Sequence, residues 1–226
     1  MRHRHSDSLP NDTTKDELLT SLRVKGISDH AVLNALQTVP REKFVPEVFR
    51  RKAYNDVALP IGRDQTISQP FTVAYMTQQL QVQPGMKILE VGTGSGYQAA
   101  ILSAMGANVI SIERQKELFE RTSLLFDAMN IRVKCILGDG SKGYSPEAPY
   151  DRIVVTAGAP FITNELKEQL IIGGRIVAPV GSESEQHMVV IERRGEHEFF
   201  EWSSREMFAF VPLIGEGGWK NKGSVS

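Results

Sequence analysis

From Gly85 onward, short apolar runs alternate with helical patterns, and this alternation constrains the fold more than any other feature. The apolar runs predict strands over residues 87–92, 108–113, 133–139, 150–158 and 175–181. Helical patterns separate them over residues 97–106, 114–130 and 162–174. Such alternation is typical of a doubly wound, mostly parallel α/β sheet. Residues 188–213 add two or three strand-like runs joined by a turn at Gly195, which predict an antiparallel edge.

The first part of the chain has helical periodicity interrupted by prolines. Apolar residues recur at helical intervals after Lys15 and predict two helices separated near Gly26. Either Ser28 or Asp29 is expected to cap the second helix, and Pro40 to end it.

Residues 41–62 are expected to form short, irregular structure, because Pro46 and Pro60 interrupt any longer element. The polar stretch RDQTISQPFT, residues 63–72, is predicted to be a loop, and residues 72–82 return to a helical pattern. The sequence therefore predicts a helical cap placed before the sheet.

The composition excludes several classes of protein. The 226 residues include 26 Lys and Arg against 27 Asp and Glu, so there is no basic excess to follow a phosphate backbone. No apolar run is long enough to span a bilayer, and the polar start of the chain is not typical of a secretory signal. We therefore expect a cytoplasmic protein whose partner is neither nucleic acid nor a membrane.

Cysteine and histidine usage argues against disulfides and metals. The single cysteine, Cys135, cannot form an intrachain disulfide, and its apolar neighbours favour a buried strand residue. The histidines are scattered without the spacing of metal ligands, so no metal site is predicted.

The sequence LEVGTGSGYQ places Gly92, Gly94 and Gly96 where a predicted strand turns into a helix. Glycines at such a turn let a ligand approach the backbone next to the helix N-terminus. The dinucleotide fingerprint G-x-G-x-x-G would need a small residue where this chain has Tyr97. Glu90 at the strand end would also repel a pyrophosphate, whereas its carboxylate suits the cationic amine of S-adenosylmethionine. The turn therefore predicts a methyl-donor site.

Two further strand ends extend this donor site. Glu113 lies 21 residues after Gly92, where a carboxylate can accept both ribose hydroxyls. Asp139 follows the third strand, where its carboxylate can accept a hydrogen bond from the amine of adenine. The predicted donor-binding residues are Glu90, Gly92, Thr93, Gly94, Gly96, Glu113, Asp139 and Gly140. Together they predict the Rossmann-like fold of class I S-adenosylmethionine-dependent methyltransferases.

The sequence after the fourth strand bears on the methyl acceptor. Enzymes that methylate amino groups of nucleic acids commonly carry an Asn/Asp-Pro-Pro-Tyr/Phe motif there, which holds a flipped base. This chain has TAGAP at residues 156–160 and lacks the stacking aromatic residue. A flipped base is therefore not the expected acceptor.

Six segments between Tyr54 and Trp219 resemble protein-L-isoaspartate (D-aspartate) O-methyltransferases, especially bacterial and archaeal members. They are YNDVALPIGRDQTISQP, ILEVGTGSGYQAA, ILGDGSKGY, APYDRIVVTAGAP, IGGRIVAPVG and AFVPLIGEGGW. The resemblance implies methyl transfer from S-adenosyl-L-methionine to the free carboxylate of L-isoaspartyl residues, and more weakly of D-aspartyl residues. S-adenosyl-L-homocysteine would be the product. The ester would close to a succinimide that can reopen to aspartate, so damaged proteins and peptides are the implied partners.

The resemblance also implies roles for single residues. Ser68 is similar to the family's active-site serine, and its neighbours match a loop that contacts donor and substrate. A C-terminal segment is expected to flank the substrate backbone. The implied substrate-binding residues are Gln65, Thr66, Ile67, Ser68, Val211, Pro212 and Leu213. Some members have His where this chain has Phe71.

The absence of a base beside Ser68 fits this chemistry. A carboxylate with a pKa of about 4 is already ionised at neutral pH. In-line approach to the sulfonium methyl then requires mainly positioning, which contributes up to about 7–11 kcal/mol in ideal cases. We expect the Ser68 hydroxyl to donate to the substrate carboxylate and to orient it.

The predicted organisation is a disordered tail over residues 1–14 and one methyltransferase domain over residues 15–226. Within the domain we expect a helical cap with the substrate loop (15–84), a donor-binding core (85–181) and C-terminal antiparallel strands with a substrate segment (182–226). A monomer is expected. Two other functions stay open, namely a methyltransferase for another carboxylate or RNA and a non-catalytic binding module.

Overall fold

The computed structural model describes residues 13–220. The α-helices are α1 (Lys15–Val24), α2 (His30–Thr38), α3 (Pro70–Leu80), α4 (Tyr97–Ala104), α5 (Lys116–Met129) and α6 (Asn164–Glu168). The strands are β1 (Leu59–Gly62), β2 (Gln65–Ile67), β3 (Lys87–Val91), β4 (Asn108–Glu113), β5 (Val133–Leu137), β6 (Tyr150–Val155), β7 (Leu170–Gly181), β8 (Gln186–Arg193) and β9 (Phe199–Phe208). Short 3₁₀ helices occupy Arg41–Lys43, Glu47–Lys52 and Ser145–Glu147.

Seven of the strands form one sheet in the order β5-β4-β3-β6-β7-β8-β9. The first five strands in this order are parallel, whereas β8 is antiparallel to both of its neighbours. Strands β3, β4 and β6 are buried almost throughout, as expected for parallel strands covered on both faces. The predicted doubly wound sheet and its antiparallel edge are confirmed.

The predicted helical cap is present before the sheet. Helix α1 begins with a capping box, in which Thr14 and Glu17 each hydrogen-bond to the backbone of the other. Asp29, rather than Ser28, caps α2 by accepting hydrogen bonds from two backbone amides of its first turn. Apolar side chains of both helices are buried in the core, with α1 packed on α2 and α2 packed on α3 and α4.

The helix predicted over residues 162–174 is wrong in its second half. Only Asn164–Glu168 is helical, and β7 begins at Leu170. The Tyr150 amide donates to the Gln169 carbonyl over 2.8 Å, and Leu170 pairs with Tyr150, so the chain joins the sheet early. The next residues favour this outcome, because Ile171 and Ile172 are β-branched.

The loop predicted over residues 63–72 is also wrong in part. Gln65–Ile67 forms β2, which pairs with β1 in a two-stranded hairpin. Arg63 and Asp64 form its turn with φ of 56° and 55°, a conformation that hairpin turns usually assign to Asn and Gly. Cys135 lies on a strand as predicted, but it is only half-buried because β5 is an edge strand.

The first twelve residues of the predicted disordered tail lie outside the described residues. Its last two residues are described: the Thr13 amide donates to the Asn55 side chain, and Thr14 caps α1. Across residues 13–220, no helix has both the length and the apolar character needed to cross a membrane.

Candidate active site

A cavity of about 920 Å³, counting its part open to solvent, lies at the carboxyl ends of β3, β4 and β6. Most of its walls come from five segments that are far apart in the sequence, residues 65–68, 90–95, 112–115, 156–157 and 211–214, and helices α3 and α4 add the rest. Open α/β sheets bind ligands at this edge. The cavity therefore joins most of the predicted donor-binding residues to the predicted substrate segments, and we call it the donor cavity.

The glycine turn forms one wall, and two of its glycines leave no room for a side chain. Gly92 and Gly96 have φ of +100° and +85°, which favour glycine. A Cβ on Gly92 would lie 2.5 Å from Thr156 Oγ1, and one on Gly96 would lie 2.5 Å from Thr122 Cγ2. The turn is thus packed against the protein on one side while its other side borders the donor cavity.

Glu90 lies beneath this turn and is fully buried. The Ser111 hydroxyl donates to its Oε2, whereas Oε1 has no hydrogen-bond partner among residues 13–220. Burial raises the pKa of Glu90 to about 8; the Ser111 hydrogen bond opposes this rise and the charge of Glu113 adds to it. A buried carboxylate with an unpaired oxygen at a cavity wall fits a cationic ligand group, because such a partner would offset the cost of burial.

Glu113 ends β4 and also borders the donor cavity. Its two oxygens accept backbone hydrogen bonds from Gly94 over 2.9 Å and from Gln115 over 2.8 Å. These bonds hold the carboxylate in place and leave lone pairs on both oxygens. Neutral donors such as ribose hydroxyls therefore fit this position.

Three of the predicted donor-binding residues, Gly96, Asp139 and Gly140, lie outside the residues that border the donor cavity. The Asp139 carboxylate accepts backbone hydrogen bonds from Ser141 over 2.9 Å and from Glu216 over 2.8 Å. Burial alone would raise the pKa of Asp139, but these hydrogen bonds outweigh it and lower the pKa. In this arrangement Asp139 holds the C-terminal segment, and its contact with adenine stays a prediction.

A second cavity, of about 910 Å³ with its open part, lies beside the donor cavity. Its walls come from the hairpin, the start of α3 and the end of β9 with the segment that follows. Four residues border both cavities: Thr66, Ser68, Thr156 and Val211. We call this set the junction, since a group passing from one cavity to the other would pass these side chains.

The Thr156 and Ser68 hydroxyls at the junction differ in their hydrogen bonds. Thr156 donates to the backbone carbonyls of Val91 and Gly92, over 3.0 and 2.5 Å, so its proton is engaged. The Ser68 hydroxyl makes no hydrogen bond to any residue of the described range 13–220. Ser68 is therefore available to donate to a ligand at the junction.

Arg41, which sequence reasoning missed, holds the Ser68 backbone. It is fully buried, and its guanidinium donates to the carbonyls of Ala53 over 2.8 Å and Ser68 over 2.7 Å. It also lies 4.8 Å over the ring of Tyr97, which follows the glycine turn. Burial lowers the pKa of Arg41 to about 10, so it stays charged at neutral pH. A single Arg after Pro40 carries no sequence signal for this long-range role.

The predicted C-terminal substrate segment reaches the cavities through Gly158. The Gly158 amide donates to the Val211 carbonyl, and the Leu213 amide donates to the Gly158 carbonyl, each over 2.8 Å. The Trp219 indole donates to the same Gly158 carbonyl over 3.0 Å. Val211, Pro212 and Leu213 border the donor cavity, and their contact with a substrate backbone stays a prediction.

Comparisons with known proteins agree with this geometry. The family profile described as Protein-L-isoaspartate(D-aspartate) O-methyltransferase (PCMT) matches residues 13–218. A Protein-L-isoaspartate O-methyltransferase of Flavobacterium johnsoniae is 50% identical over 209 residues, covering 92% of this chain and 97% of its own. One of Cytophaga hutchinsonii is 45% identical over 216 residues, covering 96% and 97%.

Solved structures give the same result. A protein-L-isoaspartate O-methyltransferase is similar with a TM-score of 0.79 and 26% identity, covering 90% of this chain and 67% of its own. A putative Plasmodium falciparum enzyme, solved with S-adenosyl-L-homocysteine, has a TM-score of 0.77 and 25% identity, covering 91% and 99%. The chain therefore belongs to the protein-L-isoaspartate(D-aspartate) O-methyltransferase family.

Proposed function

We propose that the junction of the two cavities is where a methyl group passes from S-adenosyl-L-methionine to the free carboxylate of an L-isoaspartyl residue. Family membership supplies the activity, a protein repair methyltransferase, and the donor. The single observation that carries the residue assignment is the free Ser68 hydroxyl between a donor cavity and a second cavity. We propose weaker transfer to D-aspartyl residues at the same place.

The donor cavity suits the donor's chemical groups one by one. Glu90, with its unpaired oxygen, would take the cationic amine, and Glu113 would take the ribose hydroxyls. The backbone of Gly92, Thr93, Gly94 and Gly96 would let the ligand lie close to the turn. Asp139 and Gly140 are proposed to meet adenine after the donor binds. When bound, S-adenosyl-L-methionine supplies an electrophilic methyl group on its sulfonium.

The acceptor side needs a donor of hydrogen bonds and no base. The substrate carboxylate is ionised at neutral pH, since its ordinary pKa is about 4. All four junction residues are uncharged. A neutral Ser68 hydroxyl would hold one carboxylate oxygen and leave the other free to attack, whereas a cation would bind the nucleophile tightly. Arg41 keeps the Ser68 backbone in position through its carbonyl.

The remaining substrate-binding residues are proposed to hold the polypeptide on either side of the junction. Gln65, Thr66 and Ile67 lie on β2 at the cavity wall, with Ile67 buried and Thr66 exposed. Val211, Pro212 and Leu213 also border the donor cavity. An extended substrate chain would thus lie between two segments whose backbones are held by Arg41 and Gly158.

The test is methyl transfer from labelled donor to an isoaspartyl peptide and to its normal aspartyl twin. We expect label in the isoaspartyl peptide alone, because only its α-carboxylate can reach the junction. Equal labelling of both peptides would overturn the substrate assignment. Donor binding by calorimetry without any transfer would instead indicate a non-catalytic binding module.

We further propose that the chain acts as a cytoplasmic monomer without nucleic acid. Size-exclusion chromatography with light scattering tests the monomer, for which a single species of 25.1 kDa is expected. Label transfer to RNA, or to small carboxylic acids in place of peptides, would favour the alternative acceptors.

A further inference from the structure

The second cavity combines aromatic side chains with one negative charge. Phe71, Phe208 and Phe210 border it, together with Met207 and Glu206. Among residues 13–220, Glu206 is the one charged side chain at its walls. We propose that this cavity is a subsite for a lysine or arginine side chain that flanks the isoaspartyl residue in the substrate. The inference rests on the proposed function, since it extends the same acceptor site.

A bulge in β9 creates this combination. Strand β8 pairs Val189 with Ser203 and His187 with Met207, so three residues of β9 face one residue of β8. The Ser204 hydroxyl stabilises the bulge by accepting from the Met188 amide over 3.0 Å and donating to the Glu206 carbonyl over 2.8 Å. Bulges re-aim side chains next to active sites. Here the bulge brings two consecutive side chains, Glu206 and Met207, to one cavity.

The charge of Glu206 is not neutralised by the described protein. No residue of the range 13–220 forms an ion pair with it, and its neighbour Arg205 does not border the cavity. Lys25 lies 5.6 Å over the Phe71 ring, but it already pairs with Asp56 over 2.6 Å. An incoming cation would therefore find an unpaired carboxylate.

The three aromatic residues of the cavity belong to one row of rings, in which Tyr75 lies behind the wall and connects Phe71 to Phe208. Ring centroids are 5.9 Å apart for Phe71 and Tyr75, 5.5 Å for Tyr75 and Phe208, and 6.4 Å for Phe208 and Phe210. Lysine and arginine have apolar stems that pack on such rings while their heads reach a charge or a ring face. The cavity therefore matches a long cationic side chain better than a short or acidic one.

The position of the cavity makes the occupant a neighbour of the reacting residue. The substrate carboxylate is proposed to bind at Ser68, which borders both cavities. Adjacent Cα atoms of a peptide lie about 3.8 Å apart, so a side chain one or two positions away can enter the second cavity. This continuity favours a substrate side chain over an unrelated partner as the occupant.

The test uses isoaspartyl peptides that carry lysine, norleucine or glutamate at the first or second position on either side. Norleucine keeps the apolar stem of lysine and removes its charge. We expect lysine to exceed norleucine by about fivefold in kcat/KM at low salt at one of these positions, and glutamate to fall below norleucine. Added salt should reduce the preference for lysine.

Two variants of Glu206 and one control variant test whether this carboxylate causes the preference. Glu206→Gln should bring lysine and norleucine to equal kcat/KM, and Glu206→Lys should favour glutamate. Glu201→Gln, on the same strand but away from the cavity, should keep the preference of the unmodified chain. The inference is overturned if the unmodified chain shows no lysine preference at any position, or if Glu206→Gln retains it.

An alanine-flanked isoaspartyl peptide separates this inference from the proposed function. Glu201→Gln should methylate it at the unmodified rate, because Glu201 borders neither cavity. The rate of each Glu206 variant on this peptide is the reference for its own charge preference. Failure of the unmodified chain to methylate that peptide would overturn the proposed function. Normal methylation without any charge preference would overturn the subsite alone.

Discussion

The two sides of the active site are built in opposite ways. On the donor side, two buried carboxylates and a crowded glycine turn follow consecutive parallel strands. On the acceptor side, uncharged residues come from a hairpin and a C-terminal segment, joined to the rest by a few hydrogen bonds. The charges thus face the ligand proposed to be cationic. The neutral groups of the junction face the proposed nucleophile, which has to remain reactive.

The supports of the two sides differ as well. The glycine turn is fixed by core packing, since added side-chain atoms would overlap Thr122 or Thr156. Ser68 is fixed by one buried cation, Arg41, and Val211 by the backbone of Gly158. Substitutions on the donor side should therefore mainly lower the free energy of unfolding. Substitutions on the acceptor side should mainly lower kcat.

Gly96→Ala tests the donor side and has the largest expected effect. Its Cβ would lie 2.5 Å from Thr122 Cγ2 and 2.7 Å from Phe126 Cζ, at φ of +85°. We expect the free energy of unfolding to fall by about 3–5 kcal/mol, measured by urea denaturation.

Gly173→Ala is the matched control for that substitution. It has nearly the same φ, +82°, but its Cβ would have no neighbour within 4 Å. We expect a loss of about 1–2 kcal/mol from backbone strain alone. Equal losses for the two variants would mean that crowding does not support the turn.

Ser68→Ala tests the acceptor side. It removes the hydroxyl that is free at the junction and leaves the backbone carbonyl that Arg41 binds. Because a hydrogen bond to a charged group contributes about 1.5–3 kcal/mol, kcat should fall about 10- to 100-fold on an isoaspartyl peptide. The dissociation constant of S-adenosyl-L-homocysteine, measured by calorimetry, should stay unchanged; unaltered turnover would exclude the orienting role.

The pH dependence of donor binding tests the buried carboxylate. Folding raises the pKa of Glu90 from 4.5 to about 8, because the buried side chain favours its neutral form. The stability that Glu90 contributes is therefore fully present below pH 4.5 and is lost as the pH rises through about 8. The cationic amine of the bound donor would favour the ionised form of Glu90. Donor affinity should therefore rise on the order of tenfold between about pH 6.5 and pH 8, with proton release on binding.

Calorimetry in buffers of different ionisation enthalpy measures that proton release. Glu90→Gln keeps the shape of the side chain and removes the titration, so its donor affinity should be low and independent of pH. A pH dependence that persists in Glu90→Gln would assign the effect to another group.

Thr156→Val has the smallest expected effect, because Thr156 belongs to both sides of the comparison. The substitution removes the hydroxyl that donates to the Gly92 carbonyl and roughly keeps the side-chain shape. Losing this hydrogen bond should weaken donor binding by about 1 kcal/mol and raise the KM for the donor about fivefold. Thr156→Ser keeps the hydroxyl and should restore the donor KM; if it does not, packing rather than the hydrogen bond is responsible.

The donor side was largely predictable from the sequence, because its residues follow strands whose apolar runs are short and regular. Glu90 and Glu113 each end such a run, and parallel strand ends meet at one edge of a sheet. Ser68 is proposed through resemblance to a family, since a lone hydroxyl before Gln69 and Pro70 has no distinctive pattern of its own.

What sequence reasoning missed depends on contacts between distant residues. Arg41 acts on Ser68 across 27 positions, and Glu216 reaches Asp139 across 77. The early start of β7 likewise reflects pairing of Leu170 with Tyr150. Local propensity cannot express such contacts, because the partner lies far outside any window of neighbouring residues.

The attachment of the C-terminal segment to Gly158 has a consequence for the order in which a ribosome makes this enzyme. Val211 and Leu213 are translated after all seven strands of the large sheet. A nascent chain can therefore assemble the glycine turn and both donor carboxylates while one wall of the acceptor side is still missing. Because Val211 and Leu213 are proposed to form that wall, we expect methyl transfer only from chains that have been translated beyond Leu213.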